Sequence, residues 1–209
     1  MTTTGEREGL RERKKRKTQQ VLQSAAIELF STRGFANTTV EEIAAAAEVS
    51  PRTFFRYFPS KESVLLTDLQ DAVVAANLAA SSDELSIIDT YYAALAAAFA
   101  PLTEAEWAVE RQRMSLMVDT PQLGAATFLT STQQPLADAT AFVARRLGLP
   151  VTDSRPRIYA ALLVAASAAA VFPLLPRLRE PTFERTEILV ALRQGLDVLQ
   201  QGFPTGADH

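Results

Sequence analysis

Three helix starts fall within the short stretch 38–61, and this spacing constrains the fold more than any other feature of the chain. Thr39 is followed three residues later by Glu42, the pattern of a capping box. The dipeptide Ser50-Pro51 combines an N-cap residue with the residue favoured at the first helical position. The dipeptide Pro59-Ser60 ends one helix and opens the next. Two short helices separated by three or four residues predict a helix-turn-helix.

The middle helix of this stretch, predicted from Pro51 to about Phe58, has two unlike faces. At about 100° per residue, Phe54 and Phe58 share one narrow arc. Because so short a helix can bury little else, its other face is presented outward. That outward face carries Arg52, Thr53 and Arg56, with Phe55 and Tyr57 at its edges. Arginine can bond bidentately to guanine in the major groove, and hydroxyl groups suit phosphates or bases.

The segment VSPRTFFRYFPSKE, residues 49–62, resembles the recognition-helix signature of the TetR family of repressors. The resemblance covers about residues 14–66. It implies that DNA-contacting positions are occupied by Thr39, Arg52, Thr53, Phe55, Arg56, Tyr57 and Lys61. Two departures stand out: Glu48 occupies a turn position where glycine is common, and Phe55 stands where tyrosine is common. An ordinary core hairpin with a solvated arginine face is the alternative interpretation.

The predicted fold class is all-α: an N-terminal three-helix helix-turn-helix DNA-binding domain followed by a C-terminal helical ligand-binding and dimerisation domain. We expect a disordered basic arm at 1–12, the DNA-binding domain at 13–60 with its motif at about 38–58, the second domain at 61–201, and a disordered tail at 202–209. Further helices are expected at about 60–80, 86–100, 103–118, 120–147, 154–172 and 183–201, the fourth of them kinked at Pro135.

Charge is unevenly distributed along the chain. The net charge is −3 overall, but residues 1–66 carry +3 and residues 67–209 carry −6. A basic head on an acidic body suits a protein that docks on DNA with one end. The run Arg11–Lys17 is almost wholly basic, and we expect Lys14, Lys15 and Lys17 to contact phosphates. The alternative is a solvated basic run.

The residue types needed for several kinds of catalysis are missing. The chain has no cysteine, and its single histidine is His209. Histidine-based triads and thiolate or histidine metal sites are therefore excluded, and the eight glycines never cluster into a phosphate-binding loop. We expect no enzyme, no metal and no cofactor. We also expect no signal peptide, because the N-terminus lacks an apolar stretch, and hence a cytoplasmic location.

Residues 158–176 form a run of nineteen without a charge, close to transmembrane length. We expect no membrane span, because the run is rich in alanine and is interrupted by Pro173 and Pro176. A buried helix packed on all sides is the interpretation adopted. We expect a homodimer interface to form through the last two helices. In the last helix this interface would use one apolar stripe, formed by Ile188, Leu192, Leu196 and Leu199.

Bulky side chains in the body suit an adaptable apolar cavity. The predicted ligand residues are Phe99, Trp107, Arg111, Met114, Met117 and Phe128; plain core is the alternative for each. The FFRYFPSKE segment and the RRLGL segment near Arg145 resemble an acyl-CoA-responsive, mycofactocin-associated subgroup of the TetR family. The resemblance implies a repressor that leaves a near-palindromic double-stranded operator when a small apolar or acyl-type ligand binds. Two rivals are a ligand-independent architectural DNA-binding protein and a helical carrier or enzyme with a decayed head.

Overall fold

The computed structural model describes residues 3–120, 123 and 132–202, with side chains from residue 14 onward. Every regular element in this part of the chain is helical. The elements are α1 (Thr3–Arg33), α2 (Val40–Ala46), α3 (Pro51–Tyr57), α4 (Lys61–Leu66), α5 (Asp71–Ala80), α6 (Ile87–Phe99), α7 (Glu104–Asp119), α8 (Gln133–Leu147), α9 (Ser154–Val171), a 3₁₀ helix (Phe172–Arg179) and α10 (Arg185–Gln201). The chain divides into two compact units: residues 1–67 with 112–123, and residues 68–111 with 124–209.

The first unit has a core formed mainly by α1, α2 and α4. Leu22, Ile27 and Phe30 of α1 are almost wholly buried, as are Ile43 of α2 and Leu65 of α4. Gly34 ends α1 with a φ of +87°, a left-handed conformation that glycine adopts without steric cost. This turn lets the chain fold back, and the rings of Phe30 and Phe35 lie 4.9 Å apart.

The start of α1 differs from the expectation. The helix begins at Thr3, so most of the stretch 1–12, which was predicted to be a disordered basic arm, is the first part of α1. Charged residues such as arginine, lysine and glutamate have good intrinsic helix propensity, and this favours helix over coil in such a polar stretch.

The single helix expected at about 60–80 is two helices, because the backbone breaks between Leu66 and Asp71. Carbonyl groups at the end of α4 accept hydrogen bonds from a buried side chain of α1. The amide of Gln23 donates to Val64 O at 2.9 Å and to Thr67 O at 2.7 Å. The unit boundary follows Thr67, seven residues beyond the predicted one. The apolar stripe alone gave no sign of this break.

The second unit is built around a core shared by α5, α6, α8, α9 and α10. Its most buried members include Leu78, Phe142, Val143, Ala160 and Leu196. Tyr91 belongs to the same core, and burial raises its pKa to about 12.

Two consecutive arginines at the end of α8 hold the turn between α5 and α6. Arg145 donates to the carbonyl oxygens of Leu78 at 2.6 Å and Ala79 at 3.2 Å. Arg146 pairs with Asp83 at 2.9 Å and donates to the hydroxyl of Thr90 at 3.0 Å. Both guanidinium groups therefore satisfy protein acceptors within the subunit.

The helix expected over 120–147 begins, in the described part of the chain, at Gln133. Pro135 is consequently the third residue of α8 and produces no kink in the described helix. In the first turn a backbone N–H has no intrahelical partner, so the absence of that group costs nothing. Residues 124–131, and with them Phe128, lie outside the described residues.

The expectation that α9 is packed on all sides is wrong. The segment Ser154–Arg179 is long and apolar enough to cross a membrane, but only 11% of its most apolar part is buried in the subunit. One side of α9 enters the core, through Pro156, Ala160 and Leu163, and the other side is exposed.

The predicted dimer stripe of α10 is also wrong in its main residues. Ile188, Leu192 and Leu196 are at most 4% exposed because they pack into the core of their own subunit. The exposed apolar residues of α10 are Val190 and Val198. The most apolar stripe of a helix packs against whichever apolar neighbour is nearest, and here that neighbour is the core of the same unit.

Candidate DNA-reading surface

The helix starts that frame the surface form as the capping pattern requires. In α2 the backbone N–H of Thr39 donates to Glu42 Oε2 at 2.9 Å, and the N–H of Glu42 donates back to Thr39 Oγ1 at 3.2 Å. In α3 the N–H of Thr53 donates to Ser50 Oγ at 3.1 Å. The hydroxyl of Thr39 therefore caps α2, although the side chain is exposed.

Two aromatic side chains anchor α3 in the first unit. Phe54 and Phe58 are both 0% exposed, and their rings lie 5.7 Å apart. On the outer side Phe55 is 54% exposed, and its ring meets that of Phe54 edge-on at 5.5 Å. The two faces of α3 are thus divided as the 100° periodicity predicts.

The outer face of α3 is basic. Arg52 and Arg56 are exposed, and Thr53 and Tyr57 are half-buried. The guanidinium carbon of Arg56 lies 5.1 Å from the centre of the Tyr57 ring. Among the described residues neither arginine forms an ion pair, so both charges are available to an outside acceptor.

The turn between α2 and α3 contains a strained residue. Glu48 has a φ of +55°, in the left-handed region that a side chain disfavours. The N–H of the next residue, Val49, donates to Ala44 O at 2.9 Å. The hydrogen bond fixes the angle between the two helices at the expense of strain at Glu48, as the departure from glycine predicts.

Lys61 makes internal contacts that the sequence did not suggest. Its Nζ donates to Phe35 O at 2.9 Å and to Thr38 O at 3.1 Å, and it lies 4.6 Å from the centre of the Phe35 ring. Two of its three N–H groups are therefore used to hold the α1–α2 turn, a role distinct from the predicted phosphate contact. The side chains of Lys14, Lys15 and Lys17 are exposed along α1.

The predicted ligand residues belong partly to each unit. In the second unit the indole N–H of Trp107 donates to Phe183 O at 3.3 Å, and Arg111 donates to Glu180 O at 2.5 Å. Phe99 is half-buried there. In the first unit Met114 is buried and Met117 half-buried. The guanidinium of Arg111 is thus already engaged by a backbone carbonyl.

Family models match both parts of the chain. The model of bacterial regulatory proteins of the tetR family matches residues 22–67, and the MftR C-terminal domain matches residues 85–204. The second match alone spans more than half of the chain. This chain belongs to the TetR family of transcriptional regulators. The predicted recognition is therefore confirmed, including the likeness of its C-terminal domain to that of MftR.

Two curated relatives of this TetR-family chain are similar over most of its length. The transcriptional regulator TcmR of Streptomyces glaucescens is 36% identical over 166 residues, which cover 75% of this chain and 73% of TcmR. MftR of Mycobacterium tuberculosis, assigned to regulation of mycofactocin biosynthesis, is 32% identical over 188 residues, which cover 86% of this chain and 91% of MftR. The family models and relatives describe regulators and not enzymes, which confirms the prediction of no enzyme.

Solved structures agree with the fold. FadR of Thermus thermophilus, a TetR-family repressor solved with lauroyl-CoA, has a TM-score of 0.53 at 24% identity over 89% of this chain and 95% of FadR. The fatty acid degradation regulator FadR of Bacillus halodurans has a TM-score of 0.51 at 15% identity, over 85% of this chain and 93% of that FadR. The predicted all-α architecture, with an N-terminal helix-turn-helix and a C-terminal helical domain, is confirmed.

Proposed function

We propose that this TetR-family regulator is a cytoplasmic repressor that binds a near-palindromic operator as a homodimer and leaves it when a small apolar or acyl-type ligand binds. The observation that carries the DNA-reading part is the outer face of α3, where Arg52 and Arg56 are exposed without an ion-pair partner among the described residues. Two buried phenylalanines hold that face outward.

The contacts divide into two kinds. Arg52 and Arg56 read base edges in the major groove, since a guanidinium can bond to guanine O6 and N7 together. Phosphates are met by the exposed lysines of α1 and by the polar edges of the hairpin: Lys14, Lys15, Lys17, Thr39, Thr53 and Tyr57. Phe55 offers only an apolar contact, and Lys61 supports the turn behind the surface.

A salt titration tests this division on the operator and on a scrambled duplex. Arg52→Ala and Arg56→Ala should each lose about 1–3 kcal/mol on the operator and little on the scrambled duplex. Lys17→Ala should weaken both duplexes alike and lower the slope of log affinity against log salt by about one. Equal losses on both duplexes for the two arginine variants would favour the ligand-independent architectural protein instead.

The operator should repeat its half-sites at the spacing of a dimer. In a two-fold symmetric regulator the two α3 helices enter successive major grooves on one side of the duplex, about 34–36 Å apart or a multiple of that distance. The homodimer is proposed to form through the last two helices, α9 and α10; α9 has an exposed apolar stripe, and the exposed residues of α10 include Val190 and Val198. Sedimentation should give twice the chain mass of 22.8 kDa.

The ligand is proposed to be an acyl-type molecule such as an acyl-CoA, or another small molecule with a large apolar part. Support comes from the bulky residues Phe99 and Trp107 of the second unit, and from the lauroyl-CoA bound by the Thermus regulator. A ligand at 100 times its dissociation constant stabilises a fold by about 2.7 kcal/mol. Lauroyl-CoA should therefore raise the melting temperature and release the operator, whereas CoA without the acyl chain should do neither. Stabilisation without release would contradict the repressor mechanism.

A further inference from the structure

The exposed side of α9 carries an apolar stripe with a large residue at its end. Ile158, Leu162 and Phe172 are 56%, 39% and 69% exposed, and Phe172 directly follows the last residue of the helix. Between them the same stripe holds only small exposed residues: Ala161, Ala165, Ala168 and Ala169. At 100° per residue all of these positions fall within about one third of the helix circumference.

A groove opens beside the first half of this stripe and shares Leu162 with it. It has a volume of about 440 Å³ and lies between the first half of α9 and the last turns of α10. Its deeper lining includes Ile88, Leu163 and Leu199, and its more exposed lining includes Tyr159, Leu162 and Val198. An apolar cavity of about 150 Å³ can hold a benzene molecule, so the groove has room for a phenyl ring.

Phe172 and the groove lie on the same exposed surface, as a symmetric interface requires. In a two-fold interface the same patch meets itself, so a protruding residue must find its recess on the same surface. When the axis is perpendicular to α9, the two copies of the helix run antiparallel. An axis passing near Ala165 or Ala166 then brings position 172 of one copy opposite positions 158–160 of the other. The alanines lie at the crossing, where small side chains let two helices approach closely.

We infer that Phe172 of each subunit seats in the α9–α10 groove of its partner, so that two equivalent aromatic contacts lock the dimer. The inference rests on the proposed homodimer and adds its register and its principal contact. It also accounts for an exposed apolar stripe on α9 that the core of its own subunit leaves uncovered. Aromatic residues that fill a partner's pocket commonly dominate the binding energy of an interface.

Disulfide mapping tests the register directly, because the chain contains no cysteine. Phe172→Cys combined with either Tyr159→Cys or Leu162→Cys should give a covalent dimer under mild oxidation. Positions 162 and 172 are about 15 Å apart along one helix, too far for a disulfide within a subunit. Each single variant should stay uncrosslinked. Crosslinking by Phe172→Cys alone would place the two phenylalanines against each other and overturn the inference.

The dimer dissociation constant gives a second measurement on the uncrosslinked protein. Phe172→Ala should raise it by about 100-fold or more, since each of two equivalent contacts should contribute at least tenfold. Val151→Ala, an exposed apolar residue outside the groove, should leave it unchanged. If the wild type is a monomer, the proposed homodimer itself fails. If the wild type is a dimer and neither the double-cysteine variants nor Phe172→Ala behave as expected, only the seating of Phe172 fails.

Discussion

The ammonium group of Lys61 donates a hydrogen bond of 2.9 Å to the carbonyl oxygen of Phe35, twenty-six residues earlier in the chain. A second bond to Thr38 O makes this side chain a support for the α1–α2 turn. Lys61→Met should therefore lower the free energy of unfolding by about 1–3 kcal/mol, because both carbonyls lose the hydrogen bond donated by the ammonium group. Urea denaturation of the two proteins gives the difference.

The same variant separates a structural role from a phosphate contact. With the fold still intact, Lys61→Met should reduce affinity for DNA without changing the salt slope. Lys17→Met serves as the control, since Lys17 is exposed and should lower the slope by about one while leaving the stability unchanged. If Lys61→Met lowered the slope of log affinity against log salt and left the stability unaltered, Lys61 would be a phosphate contact and not a structural support.

The strained turn residue offers a stabilising substitution. Glu48→Gly should raise the free energy of unfolding by about 1 kcal/mol, since glycine adopts a φ of +55° without a steric penalty. Glu41→Gly is a matched control, because Glu41 is exposed within α2 and glycine in a helix should lose about 1 kcal/mol. Thermal denaturation should move the two melting temperatures in opposite directions. A lower melting temperature for Glu48→Gly would contradict the strain.

The close approach of α9 and α10 depends on Gly195. A Cβ at this position would lie 2.7 Å from Ala170 Cβ and 3.0 Å from the backbone oxygen of Ala166, so the helices would have to separate. Gly195→Val should destabilise the fold by about 1–3 kcal/mol through overpacking. Gln200→Val, an exposed position on the same helix, controls for β-branching and should change little. Equal denaturation midpoints for the two variants would rule out the close contact.

The cap of α2 should make the first unit sensitive to acid. The backbone N–H and hydroxyl of Thr39 hold the pKa of Glu42 below its usual value of 4.5. The carboxylate therefore adds stability above about pH 4.5, and this stability is lost as the pH falls through the lowered folded-state pKa. Glu42→Gln should abolish this part of the acid dependence. Denaturation at several pH values would show parallel curves for the two proteins if the cap were unimportant.

Local sequence patterns were sufficient to predict the exposed surface of α3. The caps at Thr39, Ser50 and Ser60 depend on hydrogen bonds between neighbours in sequence, so they can be predicted from a few residues. The same holds for the inward position of Phe54 and Phe58, because helix periodicity fixes which side chains share a face. The left-handed turn residue Glu48 followed from the family resemblance, because it stands at a turn position where glycine is common.

The contacts that depend on distant parts of the chain could not be read in this way. The carbonyls of Val64 and Thr67 are bound by Gln23, more than forty residues away, and only folding brings them together. The basic pair Arg145 and Arg146 gave no sequence signal for its acceptors near α5 and α6.

The sequence by itself determined the helical class and the exposed face of α3, because these depend on local hydrogen bonds and on periodicity, and its resemblance to known sequences indicated the family. The tertiary structure decided which apolar stripe faces inward. In α10 the stripe of Ile188, Leu192 and Leu196 was expected at a dimer interface but fills the core, whereas Val190 and Val198 are exposed. Hydrophobicity drives burial without direction, so a pattern can identify an apolar face but cannot say which neighbour covers it.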